Sequence, residues 1–398
     1  MWSAAAVTAL EDQDVHYREG AAALSLGSGF FRRESRPARD LSVLLAAQQA
    51  RDRRDGQQLR WLDLMSGCGI RALRWGLEAA AGCQIQPAIH ANDADPDRLA
   101  VLQANMAPLR IRGRPPQLTD RPAHQLLAEL QLRGERFDLI DLDAFGSPGP
   151  LIQPALQVLR SGGILFLAST DGRSPTGHER AGAVRSLGSA ARVHPASWEQ
   201  ALRQQLGLIA RLAWMNGQGI WPLLSISDGR TFRTAVRLQQ RPDPGQEDNL
   251  GLLARCESCG DQQQQSLLRL TGWQSCCCGS GQGRWLVSGP LWLGPLQDPI
   301  CIESLMQLTV PFAAATKRLL RRLQADPGCP ARVWSTAELS KRLGLQGPPP
   351  LQVLVAALRA AGHQAHASSV MAGQLRSDVK FPELLQLCRH CSQDEIKW

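Results

Sequence analysis

The stretch Phe137–Pro148, FDLIDLDAFGSP, constrains this chain more than any other. It opens as an apolar run of strand length, then breaks into an acid, a small residue, an aromatic, Gly, Ser and Pro. A buried strand ending in a polar turn is the carboxyl edge of an open α/β sheet, where such sheets place their ligands. Asp143 stands at that edge and Phe145 follows two residues later, so a carboxylate and a ring share one rim. The pair suits a flat ring bearing an amine: the acid accepts a hydrogen bond or a proton, and the ring stacks. The competing reading is a plain turn in which Asp caps and Gly and Pro bend.

The preceding units agree with a sheet edge. Leu59 to Met65 followed by SGCGIRALRWGLEAA reads as strand, glycine loop and helix, with Asp63 closing the strand. Gly67 and Gly69 let the backbone approach a ligand. The next strand, Ala88 to Asp93, ends in an acid roughly 25 residues after that loop, where an acid holds the ribose hydroxyls of a nucleotide cofactor. A helix is expected over Pro96 to Ala107. No GxxxxGK[ST] is present, which argues against nucleotides with a phosphate tail. A full GxGxxG is also missing, with Arg71 where that fingerprint wants a small residue. The loop therefore fits S-adenosylmethionine (AdoMet), which lacks a pyrophosphate, better than NAD. Helix 151–159, a Ser161-Gly162-Gly163 stop and a buried strand Ile164–Ser169 continue the alternation. A helix Trp198–Asn216 and two antiparallel strands, Ile220–Ile226 and Phe232–Leu238, finish the sheet as class I methyltransferases do.

At 398 residues the chain is long enough for two domains. The Pro-, Gly- and acid-rich segment Arg241–Asn249 sets the boundary, giving a catalytic domain over 1–240 and a C-terminal domain over 241–398. A formal charge of +8 implies a polyanionic partner. Its cations are nearly all Arg, which pairs with phosphate and stacks on bases, although a GC-rich genome gives the same bias. Phe30 and Phe31 precede Arg32 and Arg33, so aromatics and cations interleave ahead of a helix near Leu41. Eleven Cys in a chain with an acid-bearing N-terminus, unlike a secretory signal, point to metal and free thiols. Cys256-x2-Cys259 followed by Cys276-Cys277-Cys278 reads as a Zn2+ site; the triple Cys leaves the second pair open, with Cys276 and Cys278 the choice taken here. Cys388 and Cys391 have no partner pair and read as buried thiols. Residues 334–362 read as a small winged-helix-like or helical RNA-contact module, Met371–Pro382 as a polar loop reaching substrate, and Gln262–Gln265 as a loop. No apolar run is long enough for a membrane helix, so the expected place of action is the cytoplasm.

Several blocks together resemble the tRNA (guanine-26-N2)-dimethyltransferase family. They are FF…RDLSV (Phe30 to Val43), LDLMSGCGIRALRW, ANDADP, FDLIDLDAFGSP, LASTD, Glu199-x3-Arg203, IWPLLSISD, the CxxC cluster, VSGPLWLGPLQD and RSDVK (Arg376 to Lys380). The resemblance implies an α/β fold: a class I, Rossmann-like methyltransferase sheet with a smaller, zinc-containing α+β C-terminal domain. It implies AdoMet-dependent methylation of the exocyclic amine of guanine in tRNA, with no obligate protein partner. By position, Arg39, Arg71 and Asp93 would hold AdoMet alongside Asp63, Gly67 and Gly69, with Asp120 in the adenine region. Asp143 would be the catalytic acid, and Phe145, Phe30 and Phe31 the aromatic walls around the base. Four blocks depart from the family: Ala144 replaces a Pro, TDRPAH offers Asp120 a few residues before the family's Asp-Ala pair, FFRRESRP replaces an FYNP-like block, and the second Cys pair is CCC. Two other readings compete: a tRNA-binding module without turnover, and a methyltransferase for another amine. The latter enzymes carry [DN]PP[YF] where this chain has DAFG.

Overall fold

The computed structural model describes residues 17–393, apart from 28, 54, 55, 84, 114, 277 and 279–283. The acid-bearing N-terminus up to residue 16, and Cys277, lie outside the described residues. The chain forms two compact units, one comprising Met1–Ala144, Leu151–Leu167 and Glu303–Leu320, the other Phe145–Pro150, Ala168–Ile302 and Arg321–Trp398.

In the first unit a short hairpin, β1 (Tyr17–Glu19) and β2 (Ala22–Leu24), precedes the helix Arg36–Asp52. Then come β3 (Arg60–Asp63), helix Ile70–Leu77, β4 (Ala88–Asn92), helix Asp97–Asn105, β5 (Gln117–Thr119), helix Ala123–Leu132, β6 (Phe137–Asp143) and β7 (Leu159–Ser169). The strands lie in the order β5-β4-β3-β6-β7, and the pairs β5–β4, β4–β3 and β3–β6 are parallel. Parallel strands covered by helices are apolar along their whole length, which is why β3 and β6 bury Trp61, Leu62, Leu139, Ile140 and Leu142. Trp61 meets Trp75 edge to face at 6.1 Å. Gly69 opens the helix Ile70–Leu77 at φ +79°, and a Cβ there would come within 2.5 Å of Leu102 and Met106. The third stretch of chain is tied in through Asp40, whose Oδ2 accepts from Ala313 N at 2.9 Å and Thr316 Oγ1 at 2.6 Å. β7 begins earlier than expected, so Ser161-Gly162-Gly163 lies within the strand instead of ending a helix.

The second unit contains the helix Ser197–Met215 and the antiparallel pair β8 (Gly219–Ser227) and β9 (Phe232–Gln239). Segment 241–249 is a packed connector, because Gln246 accepts from Trp214 Nε1 and Ile220 N and donates to Ile220 O. A sheet in the order β11-β10-β12 follows, made of β10 (Leu250–Cys256), β11 (Gln262–Ser266) and β12 (Trp285–Trp292). The glutamine run is thus a strand and not a loop. Its backbone pairs with β10, and the buried Gln262 amide acts as a further peptide group, donating to Val333 O at 2.6 Å and accepting from Val333 N at 3.1 Å. The C-terminal part runs β13 (Val333–Ser335), helices Thr336–Leu343 and Leu351–Ala360, β14 (Ala365–Ala367), β15 (Gln374–Ser377) and helix Phe381–Gln393, with sheet order β13-β15-β14. Strand, two helices and a hairpin in that order make a winged-helix-like arrangement. Cys388 and Cys391 lie in its core with Trp334, Leu354 and Phe381.

The supposed polar loop around Arg376 is also corrected. Arg376 sits on β15, fully buried, bonded to Glu199 Oε1 and Oε2 at 2.8 and 2.7 Å and to Asp326 Oδ1 and Oδ2 at 2.6 and 3.0 Å. Arg203 donates to Glu199 Oε1 at 2.8 Å, to Trp292 O and Gly294 O at 3.0 Å each, and to Gly328 O. Three separate sequence blocks, Glu199-x3-Arg203, GPLWLGPL and RSDVK, meet in this one interior network. Among the described residues no helix is long and apolar enough to cross a membrane.

Candidate active site

Side chains two apart on a strand share a face, so Asp141 and Asp143 at the end of β6 point the same way. The parallel register sets Asp63 opposite Asp141. Three carboxylates therefore converge, and helix Ile70–Leu77 inserts the buried Arg71 among them from its first turn. Arg71 donates to Asp143 Oδ2 at 2.5 Å, to Asp63 Oδ1 at 3.0 and 3.2 Å and to Met65 O at 2.7 Å, and lies 3.7 Å from Asp141 Oδ1. Asp141 and Asp63 are sealed from solvent, whereas the Asp143 side chain is 26% exposed. Burial pushes the Asp63 carboxyl up to about 6; Arg71 opposes the shift, and Asp141 and Asp143 reinforce it. Burial also works against the Arg71 charge, but its three acids raise its pKa well above the ordinary value.

The glycine loop closes on the next acid. Gly67 N donates to Asp93 Oδ2 at 2.8 Å, and Asp95 N to Asp93 Oδ1 at 3.1 Å. Gly67 has φ +56° and no heavy atom within 4 Å of where a Cβ would stand, so its backbone is open to a ligand. Asn92, which sequence reasoning passed over, rivets the edge. Its Nδ2 donates to Leu64 O and Arg121 O at 3.0 and 2.9 Å, while its Oδ1 accepts from Thr119 Oγ1 and Arg121 N at 2.7 and 3.0 Å. Asp120 lies exposed just after β5. Asp63, Asp93, Asp120 and Asp143 thus end four adjacent strands on one sheet edge.

The N-terminal residues separate into two kinds. Arg39 is buried, donating to Glu19 Oε1 at 2.9 Å, Glu19 Oε2 at 2.6 Å and Arg32 O at 2.8 Å. Its guanidinium lies 4.7 Å from the Phe31 ring, and Phe31 meets Tyr17 edge-on at 4.8 Å. Phe31 is therefore packed, whereas Phe30 is 73% exposed. Glu19, also unforeseen, accepts from Tyr17, Arg39 and Arg74. Burial raises its pKa, but those partners, Arg39 foremost, bring it below the ordinary value. In the second unit Phe145 is 76% exposed.

The four cysteines chosen from the sequence do gather. The Sγ atoms of Cys256, Cys259, Cys276 and Cys278 lie within 4.8 Å of one another, a spacing compatible with one tetrahedral ion bound at roughly 2.3 Å per sulfur. Burial disfavours the Cys256 thiolate, but hydrogen bonds from Cys259, Cys276 and Cys278 bring it down to about 7. The cluster sits against Trp334, Leu339 and Leu354 in the C-terminal core.

Comparison with known proteins converges on one family. The family described as TRM, N2,N2-dimethylguanosine tRNA methyltransferase, matches residues 20–389. The chain is 27% identical over 356 residues to the tRNA (guanine(26)-N(2))-dimethyltransferase of Methanosphaerula palustris, covering 88% of each. It is 30% identical over 273 residues to the enzyme of that name from Pyrobaculum neutrophilum, covering 68% of each. Its fold is that of the complex of Trm1 from Pyrococcus horikoshii with S-adenosyl-L-methionine, at TM-score 0.76 and 22% identity, covering 93% of this chain and 98% of the other.

Proposed function

The chain belongs to the N2,N2-dimethylguanosine tRNA methyltransferase family, and on that premise we propose that it methylates the exocyclic N2 of guanine 26 in tRNA, giving N2-methyl- and then N2,N2-dimethylguanosine. One observation carries the assignment of its chemistry: a partly exposed Asp143 at the carboxyl edge of the sheet, gripped by the buried Arg71. The lone pair of a guanine N2 is delocalised into the ring and is a poor nucleophile. Asp143, accepting from an N2–H, localises that density and takes the proton as the N–C bond forms. Arg71 fixes the carboxylate orientation, so the acceptor needs no reorganisation at the moment of transfer.

AdoMet, when bound, supplies an electrophilic methyl on a sulfonium. The loop backbone at Gly67 and Gly69 with Asp63, Arg71 and Arg39 would hold it, Asp93 would bind its ribose hydroxyls and Asp120 would flank the adenine. The edge fits such a cation, since three carboxylates gather around Arg71 and the Gly67 backbone is open. The rings proposed to stack on a base that has left the helix are those of Phe30, Phe31 and Phe145. Residues 1–240 would carry the catalysis and 241–398 the tRNA contacts, with Zn2+ on Cys256, Cys259, Cys276 and Cys278 stiffening the latter. The helix Ala314–Gln324 supports an RNA partner: Lys317, Arg318, Arg321 and Arg322 are all exposed on one face, with no acid in the helix. Action on tRNA would suit a place in the cytoplasm.

The test is unmodified tRNA transcript, AdoMet and purified protein, read by nucleoside mass spectrometry with position mapping. Methylated N2-guanosine at position 26 is expected. Bound tRNA with no methylated nucleoside would sink the reading in favour of a binding module.

A further inference from the structure

The block GPLWLGPLQD is used only in part by the interior network; its remaining side chains wall a cavity of about 310 Å³ in the second unit. Trp221 and Trp292 face this space together with Pro222, Pro295 and Pro299. Both indole N–H groups are committed, Trp221 Nε1 to Asp298 Oδ2 and Trp292 Nε1 to Pro295 O, each at 2.9 Å, so both ring planes are fixed in advance. The Asp298 carboxylate is otherwise engaged by Ile300 N and Cys301 N. Gln297 also lines the cavity. It is 1% exposed, its Nε2 donates to Asp326 O and Ser369 Oγ, and its Oε1 has no hydrogen-bond partner among the described residues.

A rigid indole wall flanked by prolines asks for a flat ring that can stack on it. The volume is at the small end for ligand pockets, which excludes bulky occupants. One further residue selects the source of the ring. Arg237 is the cross-strand partner of Trp221 on β9, so the two side chains share a face. Arg237 makes no ion pair among the described residues, leaving its guanidinium to a phosphate beside the stacked ring. We propose that this cavity is a second base pocket: it takes one unpaired nucleobase of the tRNA, stacked on Trp221, with the adjoining phosphate on Arg237. The proposal rests on the tRNA reading above, but none of these residues is assigned to methyl transfer.

The experiment compares full-length wild-type protein with Trp221→Ala and Trp221→Phe, measuring the Kd for a tRNA transcript separately from turnover. Ultraviolet cross-linking with peptide mapping is run on the wild type. Losing one stacked base should raise the tRNA Kd about ten-fold in Trp221→Ala, leave AdoMet affinity unchanged and spare Trp221→Phe, which keeps a stacking ring but not the bond to Asp298. The cross-link should map to peptide 219–227. An unmoved Kd in Trp221→Ala overturns the proposal, as does a Phe variant as weak as the Ala variant, because the indole is then merely structural. Protection of Trp221 by GMP alone, with an unmoved tRNA Kd, would make this a free-nucleotide site and equally defeat it; so would occupation by a proline-rich peptide in place of RNA. Failure of the wild type to methylate tRNA would defeat the functional assignment, whereas normal wild-type turnover with an unmoved Kd in the variant defeats the pocket alone.

Discussion

Two ion clusters in this molecule use the same residue types to opposite ends. In the second unit, Glu199 and Asp326 face Arg203 and Arg376, two acids against two guanidinium groups. All four carboxylate oxygens accept hydrogen bonds, Asp326 from Gly328 N and Ser369 N as well. In the first unit, Asp63, Asp141 and Asp143 gather around Arg71, and Ser42 Oγ donates to Asp141 Oδ2 at 2.6 Å. Asp63 Oδ2 has no hydrogen-bond partner among the described residues, and Asp143 reaches solvent. A balanced, saturated cluster is a fastener. A cluster with one end exposed can meet a group that is not protein; burial raises its Asp63 pKa, and the neighbouring acids add to that rise.

Substitutions can break the contrast or sharpen it. The largest effect is expected for Asp143→Ala, which should lower kcat by about 10²–10⁴-fold, the range for a positioned base, with tRNA still bound and the fold no less stable. Turnover near wild type would remove Asp143 from catalysis. Arg376→Met should do the reverse. It strands two buried carboxylates and should cost about 3–5 kcal/mol, read from urea unfolding of the full chain; a loss below about 1 kcal/mol would make the cluster ornamental. Cys256→Ser with Cys259→Ser should release zinc, measured by atomic emission, and loosen the C-terminal core while AdoMet binding persists. Unchanged metal content would end the zinc assignment.

The smallest effect concerns pH. Asp63 is raised to about 6 in the fold, against roughly 3.9 in an unfolded chain. The folded state therefore binds this proton more tightly, and stability from Asp63 grows as pH falls through about 6 toward 4. Burial pushes His90 and His194 down to about 4 and about 3. Their contribution is present above about 6.5 and lost as pH falls through those values. Asp63→Asn removes the opposing gain, so its acid destabilisation should be steeper than that of wild type. Parallel curves from urea midpoints at pH 7 and 5 would contradict the raised Asp63.

Strand ends were legible in the sequence because an apolar run stops at them, and Asp63, Asp93 and Asp143 were found on that signal alone. Asp141 was readable in principle from the alternation in FDLIDLD, but it sits inside a run dominated by its apolar neighbours. Asn92 lay hidden beside the acid that follows it, since an amide earns notice only once its four partners are placed. Arg376 was misjudged for a physical reason: an Arg in a polar stretch looks solvated unless its acids are visible, and these lie far along the chain, at Glu199 and Asp326. The glutamine run misled in the same way. A polar side chain predicts exposure until a backbone such as Val333 offers it both a donor and an acceptor.

The threading of the first unit has a consequence for how the protein is made. Asp40 lies near the start of the chain, and Arg74 meets its Oδ1 early, but the groups that satisfy its Oδ2, Ala313 N and Thr316 Oγ1, arrive late. Emerging from the ribosome, the sheet can form early, but its Asp40 seam stays open until translation passes residue 316, with much of the second unit already synthesised. Biogenesis here ends by returning to its beginning, and a fragment cut at residue 240 would keep the strands while never completing that closure.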